Sequence, residues 1–288
     1  VVTLVFLIIH LTPGDPAQIM LGETAAAADV AELRKSLGLD RPMLSQYASF
    51  IGGVMTFDLG TSIFTRKSVA RSILEVYPAT LSLAVCAMAM ALLIAIPMGA
   101  LAAARKDTIF DRGAMLASLM GVSTPTFCAG PLFILVFAVN LGWLPASGRD
   151  GAASLALPSI TLGMAMAAIL SRLTRATLIE TLGEDYVTAA RARGASGWVV
   201  LFKHALSNAL LPVVTVAGLQ LGGLLAGTVI TETIFAWPGL GRLTVEAINA
   251  RDYPLAQGCV LTISLSYLTV NVMVDMLYAA IDPRIRYR

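Results

Sequence analysis

Five long stretches of this chain contain no Asp, Glu, Lys or Arg: Val76–Ala104, Gly113–Gly148, Gly151–Ser171, Ala205–Thr231 and Tyr253–Val274. Each reaches the ~20 residues an α-helix needs to cross a ~30 Å hydrocarbon core. Helices in soluble cores are rarely this long without a charge. The pattern predicts membrane spans over Val76–Ala104, Gly113–Gly142, Leu155–Leu178, Ala209–Glu232 and Leu255–Ile281. Pro97 is expected to kink the first of these, and Pro125 and Pro131 to interrupt the second. A further apolar run, Val1–Leu11, is too short to cross alone. It is expected to be the outer half of a first span whose inner half precedes Val1. A basic n-region and a small-residue cleavage site are missing, so it does not read as a signal peptide.

The segments between the spans carry their own signals. Leu11-Thr-Pro-Gly-Asp-Pro16 is an exit through which no helix runs. Ala25–Leu37 predicts a short helix, with Asp29 and Glu32 early, Arg34 and Lys35 late, and Gly38 as its stop. Pro42 opens a second helix to about Thr56, and Asp58-Leu59-Gly60 follows. Residues 12–75 therefore read as a small helical cap on the outer face, without enough apolar residues for an independent core. Residues 105–112 form a short basic turn, and 181–208 a polar inner loop with room for a helix. Residues 235–254 form an outer loop. Trp143 and Pro145 sit where the chain leaves the membrane, as interfacial anchors do.

Composition agrees with the pattern: 57% of the 288 residues are hydrophobic and 13% charged, against roughly 25% charged in soluble domains. The net charge of +2 matters less than its placement. With six spans and both termini inside, Arg105, Lys106, Arg112, Arg172, Arg175, Arg191, Arg193, Lys203, Arg284, Arg286 and Arg288 all fall on the inner side. The two short outer loops hold only Arg149, Arg242 and Arg251, and long loops such as 12–75 cross largely regardless of charge. Both termini are therefore expected to be cytoplasmic. Cys86, Cys128 and Cys259 fall inside spans and read as buried, inert thiols. His10 and His204 are too far apart to suggest a metal, and no nucleic-acid partner is expected.

Three groups of residues invite a functional reading. Gly218-Leu-Gln-Leu-Gly222 and Gly223-Leu-Leu-Ala-Gly227 place small residues four apart, which lets helices approach closely, with a place on the solute pathway as the alternative. Asp275 lies about two turns inside the last span and is expected to pair with Arg172 or Arg175, since an unpaired charge there is costly. The third group is the inner-loop run Glu184-Asp-Tyr-Val-Thr-Ala-Ala-Arg-Ala-Arg-Gly194. Glu184 and Asp185 favour a helix start, Ala189 and Ala190 give a side-chain-poor face, and Gly194 permits a left-handed stop.

That run, with Tyr186, Arg191 and Arg193 in it, resembles the Glu-Ala-Ala…Gly loop of binding-protein-dependent ABC importer permeases. Thr188 stands where the general motif has Glu, and Pro212 falls about five residues late. Both departures are similar to the oligopeptide/dipeptide/nickel permease branch, as is Lys203–Pro212. Leu11–Pro16, Asp58–Ser62, Phe235–Arg242, Arg251–Pro254 and Asp282–Tyr287 also resemble that branch, especially its peptide and glutathione permeases.

The resemblance implies an all-α membrane protein of six transmembrane helices with the type I ABC importer permease fold. It also implies a small helical periplasmic insertion after the first helix. Residues 1–11 would be the first span, 12–75 the periplasmic cap, 76–282 the permease domain and 283–288 a cytoplasmic tail. Loop 181–208 would carry a coupling helix that docks on the ATPase. Implied partners are a homologous second permease, two cytoplasmic ABC ATPases, a periplasmic or lipid-anchored solute-binding protein and lipids of the bacterial inner membrane. The solute would be a di- or oligopeptide or glutathione, with a nickel chelate as the alternative. The chain itself is not expected to be an enzyme or to hold a cofactor. A Walker A loop needs Gly-Lys-[Ser/Thr], whereas Lys35, Lys67, Lys106 and Lys203 follow Arg34, Arg66, Arg105 and Phe202. ATP and Mg would sit on the partner ATPases. An integral membrane enzyme and a stand-alone ion-coupled transporter are the rivals from other classes. No His-Glu-x-x-His or Gly-x-Ser-x-Gly occurs, and intramembrane acids are nearly absent.

Overall fold

The computed structural model describes residues 1–11, 16–22, 25–36 and 38–281. The readings placed on 12–15, 37 and 282–288 lie outside these residues. Among the described residues the chain is helical, and its one β feature is an isolated bridge between Thr61 and Ser68. Four helical stretches are long and apolar enough to span a membrane: Val69–Ala104, Ala152–Leu182, Gly197–Leu225 and Tyr253–Leu277. A fifth stretch, Ile109–Ser123 with Thr126–Asn140, meets the same test but turns through 101° at its break. The chain divides into two compact units. One takes residues 1–80 and 238–266, the other 81–237 and the chain from Tyr267 onward.

The first unit begins with α1 (Val2–Leu11), α2 (Pro16–Leu21), α3 (Ala27–Ser36) and α4 (Met43–Met55). The residues that end α3 are those the sequence points to. Gly38 adopts φ +67°, with Gly38 N donating to Lys35 O at 3.1 Å and Leu39 N to Arg34 O at 3.0 Å, the paired bonds of a left-handed helix stop. No residue of α4 is fully buried. The core of this unit comes instead from Val69 and Ile73 of α5 (Val69–Ala104) with Leu240 and Ala247 of α13 (Leu240–Asn249). Leu255 and Cys259 of α14 (Tyr253–Ile281) complete it. On α1, Val5 and Phe6 are buried, the Phe6 ring lies 5.2 Å from that of Tyr47, and Gln257 Nε2 donates to Val5 O at 3.0 Å.

Helix α5 starts seven residues before its apolar run. Arg71 and Glu75 form an exposed i,i+4 pair at 3.2 Å, so polar residues extend the helix without any need for lipid. It also continues through Pro97 as one helix. Along its inner part, Ala87, Ala91, Ala95, Gly99 and Ala103 recur every fourth residue, and all are buried. This stripe seats on α8 (Ala156–Leu182) at backbone range. A Cβ on Gly99 would stand 2.6 Å from Ser171 O, and one on Gly163 would stand 2.8 Å from Ala87 O. The paired positions rise together, so α5 and α8 run parallel. α6 (Ile109–Ser123) pairs with α8 in the opposite sense: Ser118 Oγ lies 2.9 Å from Ser171 Oγ, and a Cβ on Gly121 would lie 3.0 Å from that of Ala168. The chain therefore turns back between α5 and α8.

The third expected span is not one straight helix. Pro125 lacks an N–H and drives Thr124 to an extended ψ of 112°. The chain resumes as α7 (Thr126–Phe133) and a π-helical turn over Ile134–Asn140. Cys128, expected to be buried, is exposed on α7. The fifth span starts earlier than the loop reading 181–208 allowed. Short α10 (Gly197–Val199) passes through a π-helical turn over Val200–Leu206 into α11 (Ser207–Gly227). That span also ends earlier, because Thr228 separates α11 from α12 (Val229–Ile234). Glu232, fully buried on α12, accepts a hydrogen bond from Thr228 Oγ1 at 2.9 Å.

Candidate functional site

The Glu184–Gly194 motif forms α9 (Asp185–Ala192). Glu184 precedes it in extended backbone (φ −69°, ψ 148°), and Asp185 occupies the first turn, where carboxylates suit the helix N-terminus. Gly194 ends it at φ +84°, with Gly194 N donating to Arg191 O at 2.9 Å and Ala195 N to Ala190 O at 3.2 Å. Start and stop are those read from the sequence.

The orientation of α9 differs from the expectation. Ala190 is only 2% exposed. Val187, buried on the same helix, enters a cluster of Ala100, Ala103, Leu178, Val200, Ala205, Leu206 and Ala209 from this same chain. The small face that was expected to enter a partner's groove is half consumed by internal packing. A helix spaces successive side chains by about 100°, so Val187 and Ala190, three apart, share one face. Tyr186, Ala189, Arg191 and Arg193 remain exposed. Tyr186 is fixed as well: its Oη accepts from Asn208 Nδ2 at 2.7 Å and donates to His204 O at 3.3 Å. The two halves of the loop motif, Glu184–Gly194 and Lys203–Pro212, are thereby joined into one surface.

The glycines of α11 separate into two kinds. A Cβ on Gly218 would collide with the Val274 side chain, and one on Gly222 would stand 3.2 Å from Asn271 Oδ1 and 3.4 Å from the Tyr267 ring. Gly223 has nothing within 4 Å of its Cβ position. Gly227 is the last residue of α11. Gly218 and Gly222 thus serve the contact of α11 with α14 inside this chain.

The expected pairing of Asp275 with Arg172 or Arg175 is replaced by another. Arg175 Nε and Nη2 donate to Asp111 Oδ1 and Oδ2 at 2.5 and 2.6 Å. Asp111 is buried, and its Oδ2 also accepts from Asp107 N at 2.9 Å. α6 runs antiparallel beside α8, which brings Asp111 to Arg175, whereas Asp275 is exposed on α14. Among the described residues neither Asp275 nor Arg172 forms an ion pair. Also among them, no group of three His, Cys, Asp or Glu side chains is placed to hold a metal ion.

A second constellation was not foreseen. Ser62 Oγ donates to Asp252 Oδ2 at 2.5 Å, joining positions 190 apart. Both residues are buried, and Ser62 Oγ also accepts from Thr65 N at 3.0 Å. Asp252 directly precedes α14, and its Oδ1 accepts from Leu255 N at 3.3 Å. The motif segments Asp58–Ser62 and Arg251–Pro254 therefore meet through one carboxylate. α12 and α13 stop on left-handed residues that are not glycine, Ala236 (φ +47°) and Arg251 (φ +57°).

Two family descriptions match the sequence. Residues 95–287 match the inner membrane component of binding-protein-dependent transport systems, and residues 1–84 match the N-terminal part of such membrane components. The glutathione transport system permease protein GsiC of Pectobacterium atrosepticum is 45% identical over 288 residues, covering 100% of this chain and 94% of that one. Its counterpart in Escherichia coli K12 is 44% identical over 285 residues, 99% of this chain and 93% of that one. Among solved structures, an inward-facing form of the MetNI methionine ABC transporter superposes with a TM-score of 0.62 at 18% identity, over 73% of this chain and 96% of that one. An amino acid ABC transporter crystallised with histidines gives 0.55 at 16% identity, over 75% and 94%.

Proposed function

Because this chain belongs to the family of inner membrane components of binding-protein-dependent transport systems, we propose that it pairs with a homologous permease to form the import pathway for glutathione or short peptides. The observation that carries the solute class is the 45% identity, from end to end, with a glutathione permease. Two cytoplasmic ABC ATPases would supply the energy, with ATP and Mg bound on them. A periplasmic or lipid-anchored binding protein would deliver the solute.

In this reading the exposed face of α9, with Tyr186, Ala189, Arg191 and Arg193, is the coupling surface that docks on an ATPase. Glu184 and Asp185 lie at its leading end, and Gly194 closes it. Val187 and Ala190 key the helix into its own subunit, so movement of the ATPase reaches α5, α8 and α11 through packed side chains rather than a flexible tether. Alternating access follows when paired permeases are rocked by ATP-driven closure of the ATPases.

Six spans, with both termini cytoplasmic, fit this role. The parallel run of α5 and α8, with α6 antiparallel between them in sequence, supports counting the bent stretch 109–140 as one return crossing. α1 supplies the outer part of the first span, and α2–α4 form the periplasmic cap. The basic inner loops favour this orientation.

The experiment is uptake into proteoliposomes containing the assembled importer, its binding protein and internal ATP. Radiolabelled glutathione should accumulate, and unlabelled di- and tripeptides should compete in proportion to their affinity for the binding protein. Accumulation of a nickel chelate without glutathione or peptide uptake would support the nickel alternative. ATP-independent, ion-driven uptake by this chain alone would overturn the importer reading.

A further inference from the structure

We propose that the α5 end beside α9 holds an anionic phospholipid, with its acyl chain in an apolar cavity and its phosphate between Arg105 and Arg191. The cavity has a volume of about 850 Å3 and is lined by Pro97, Leu101, Arg105, Arg191, Trp198 and Phe202 among others. That falls within the roughly 300–1,000 Å3 of typical small-ligand sites. Its walls are predominantly aliphatic and aromatic, and its lining side chains with formal charge are both arginines.

Three observations select a lipid over other apolar occupants. The first is depth. α5 ends at Ala104, so Arg105 stands where a span leaves the hydrocarbon and meets headgroups. The second is charge. Among the described residues neither Arg105 nor Arg191 forms an ion pair; Arg105 instead lies over the Phe110 ring, 4.7 Å from its centroid. Two unneutralised guanidiniums lining an apolar cavity complement a phosphodiester, which accepts paired N–H donors. The third is the aromatic wall. The rings of Trp198 and Phe202 stack at 5.2 Å, 8° from parallel, yet Trp198 is 68% exposed. Exposed indole beside apolar surface suits the membrane interface.

A lipid in this position would touch both the end of α5 and the coupling helix α9. The site rests on reading α5 as a span and α9 as the coupling helix. Lipid retention can nevertheless be read without any turnover, so the two readings fail separately.

The experiment is native mass spectrometry of the whole importer, purified and exchanged into equimolar phosphatidylglycerol and phosphatidylcholine. The wild type is expected to retain one phosphatidylglycerol per copy of this chain in preference to phosphatidylcholine. Arg105→Gln should lower that preference about fivefold, the factor equivalent to ~1 kcal/mol per basic residue at an anionic surface; Arg105→Lys should keep most of it. Leu101→Trp, which narrows the cavity and leaves both charges, should also reduce retention. Equal retention of the two lipids, or retention unchanged by Arg105→Gln and Leu101→Trp, would overturn the proposal. So would crosslinking of Phe202→Cys to an ATPase in the assembled complex, because a protein side chain would then occupy the cavity.

Discussion

Arg175 grips both carboxylate oxygens of Asp111, at 2.5 and 2.6 Å, from a position 64 residues further along the chain. The bidentate geometry fixes the rotation of α6 against α8 as well as their separation. Removing either partner leaves the other charge poorly solvated against protein. Asp111→Ala and Arg175→Ala should each lower the melting temperature of the detergent-solubilised complex by several degrees. The exchanged pair, Asp111→Arg with Arg175→Asp, should recover part of the loss. Asp275→Asn should change little. Thermal-shift size-exclusion profiles measure all four, and an Asp275→Asn loss equal to that of Asp111→Ala would contradict this assignment.

The inward turn of Ala190 reverses what a substitution there reports. Ala190→Glu places a charge at a position only 2% exposed and should reduce the yield of folded subunit itself. Ala189→Glu, on the exposed face, should leave yield intact while ATPase association and solute-stimulated ATP hydrolysis fall. Pull-down of the ATPase with either variant, normalised to permease yield, separates the two effects. Normal coupling by Ala189→Glu would move the docking surface elsewhere.

Neighbouring glycines of α11 should respond in opposite directions. Gly218→Ala drives a methyl into Val274 and should destabilise by ~1–3 kcal/mol. Gly223→Ala meets open space and gains up to ~1 kcal/mol of helix propensity. Gly99→Ala should behave like Gly218→Ala, because its new methyl would press on the Ser171 carbonyl and the Thr174 side chain. Unfolding of the solubilised subunit followed by circular dichroism ranks the three.

Ser62→Ala should remove the hydroxyl that Asp252 accepts from and leave a buried carboxylate short of a donor. The expected cost is ~1–3 kcal/mol, concentrated in the unit formed by residues 1–80 and 238–266. Ser62→Thr keeps the donor and should retain most of the stability. Hydrogen exchange of the start of α14 reports this locally, with faster exchange near Leu255 in Ser62→Ala alone. Unchanged exchange there would mean that the contact contributes nothing.

Much of this was written in local sequence. The charge-free runs located the long apolar helices, and Gly38 and Gly194 marked helix ends because a left-handed turn favours glycine. Pro125 marked the break because it cannot donate. Partner choice was not legible. Asp111 read as part of a basic turn, since its link to Arg175 exists only once α6 lies antiparallel to α8. The alanines of α9 announced a bare face but not whether it met this chain or another. The four-residue rhythm of Ala87, Ala91, Ala95 and Gly99 was present, yet in a helix apolar on all sides it had no contrast to stand against. Ala236 and Arg251 adopt left-handed backbone without glycine, so composition gave no cue. The substitution Ala236→Gly should relieve that strain and stabilise by ~1 kcal/mol.

The corner at Thr124-Pro125 also constrains what surrounds the protein. Fifteen residues of α6 advance ~22 Å, so if α6 enters the membrane at its start, as the six-span reading requires, the corner falls inside the ~30 Å hydrocarbon core. Backbone carbonyls there have lost their helical donors, and lipid tails offer no replacement. An importer built as proposed here must therefore leave a gap in its annulus of lipid at this flank, closed by protein or by water. A subunit isolated in detergent exposes that gap, so its behaviour on its own should be worse than its hydrophobicity suggests, and assembly should cure it.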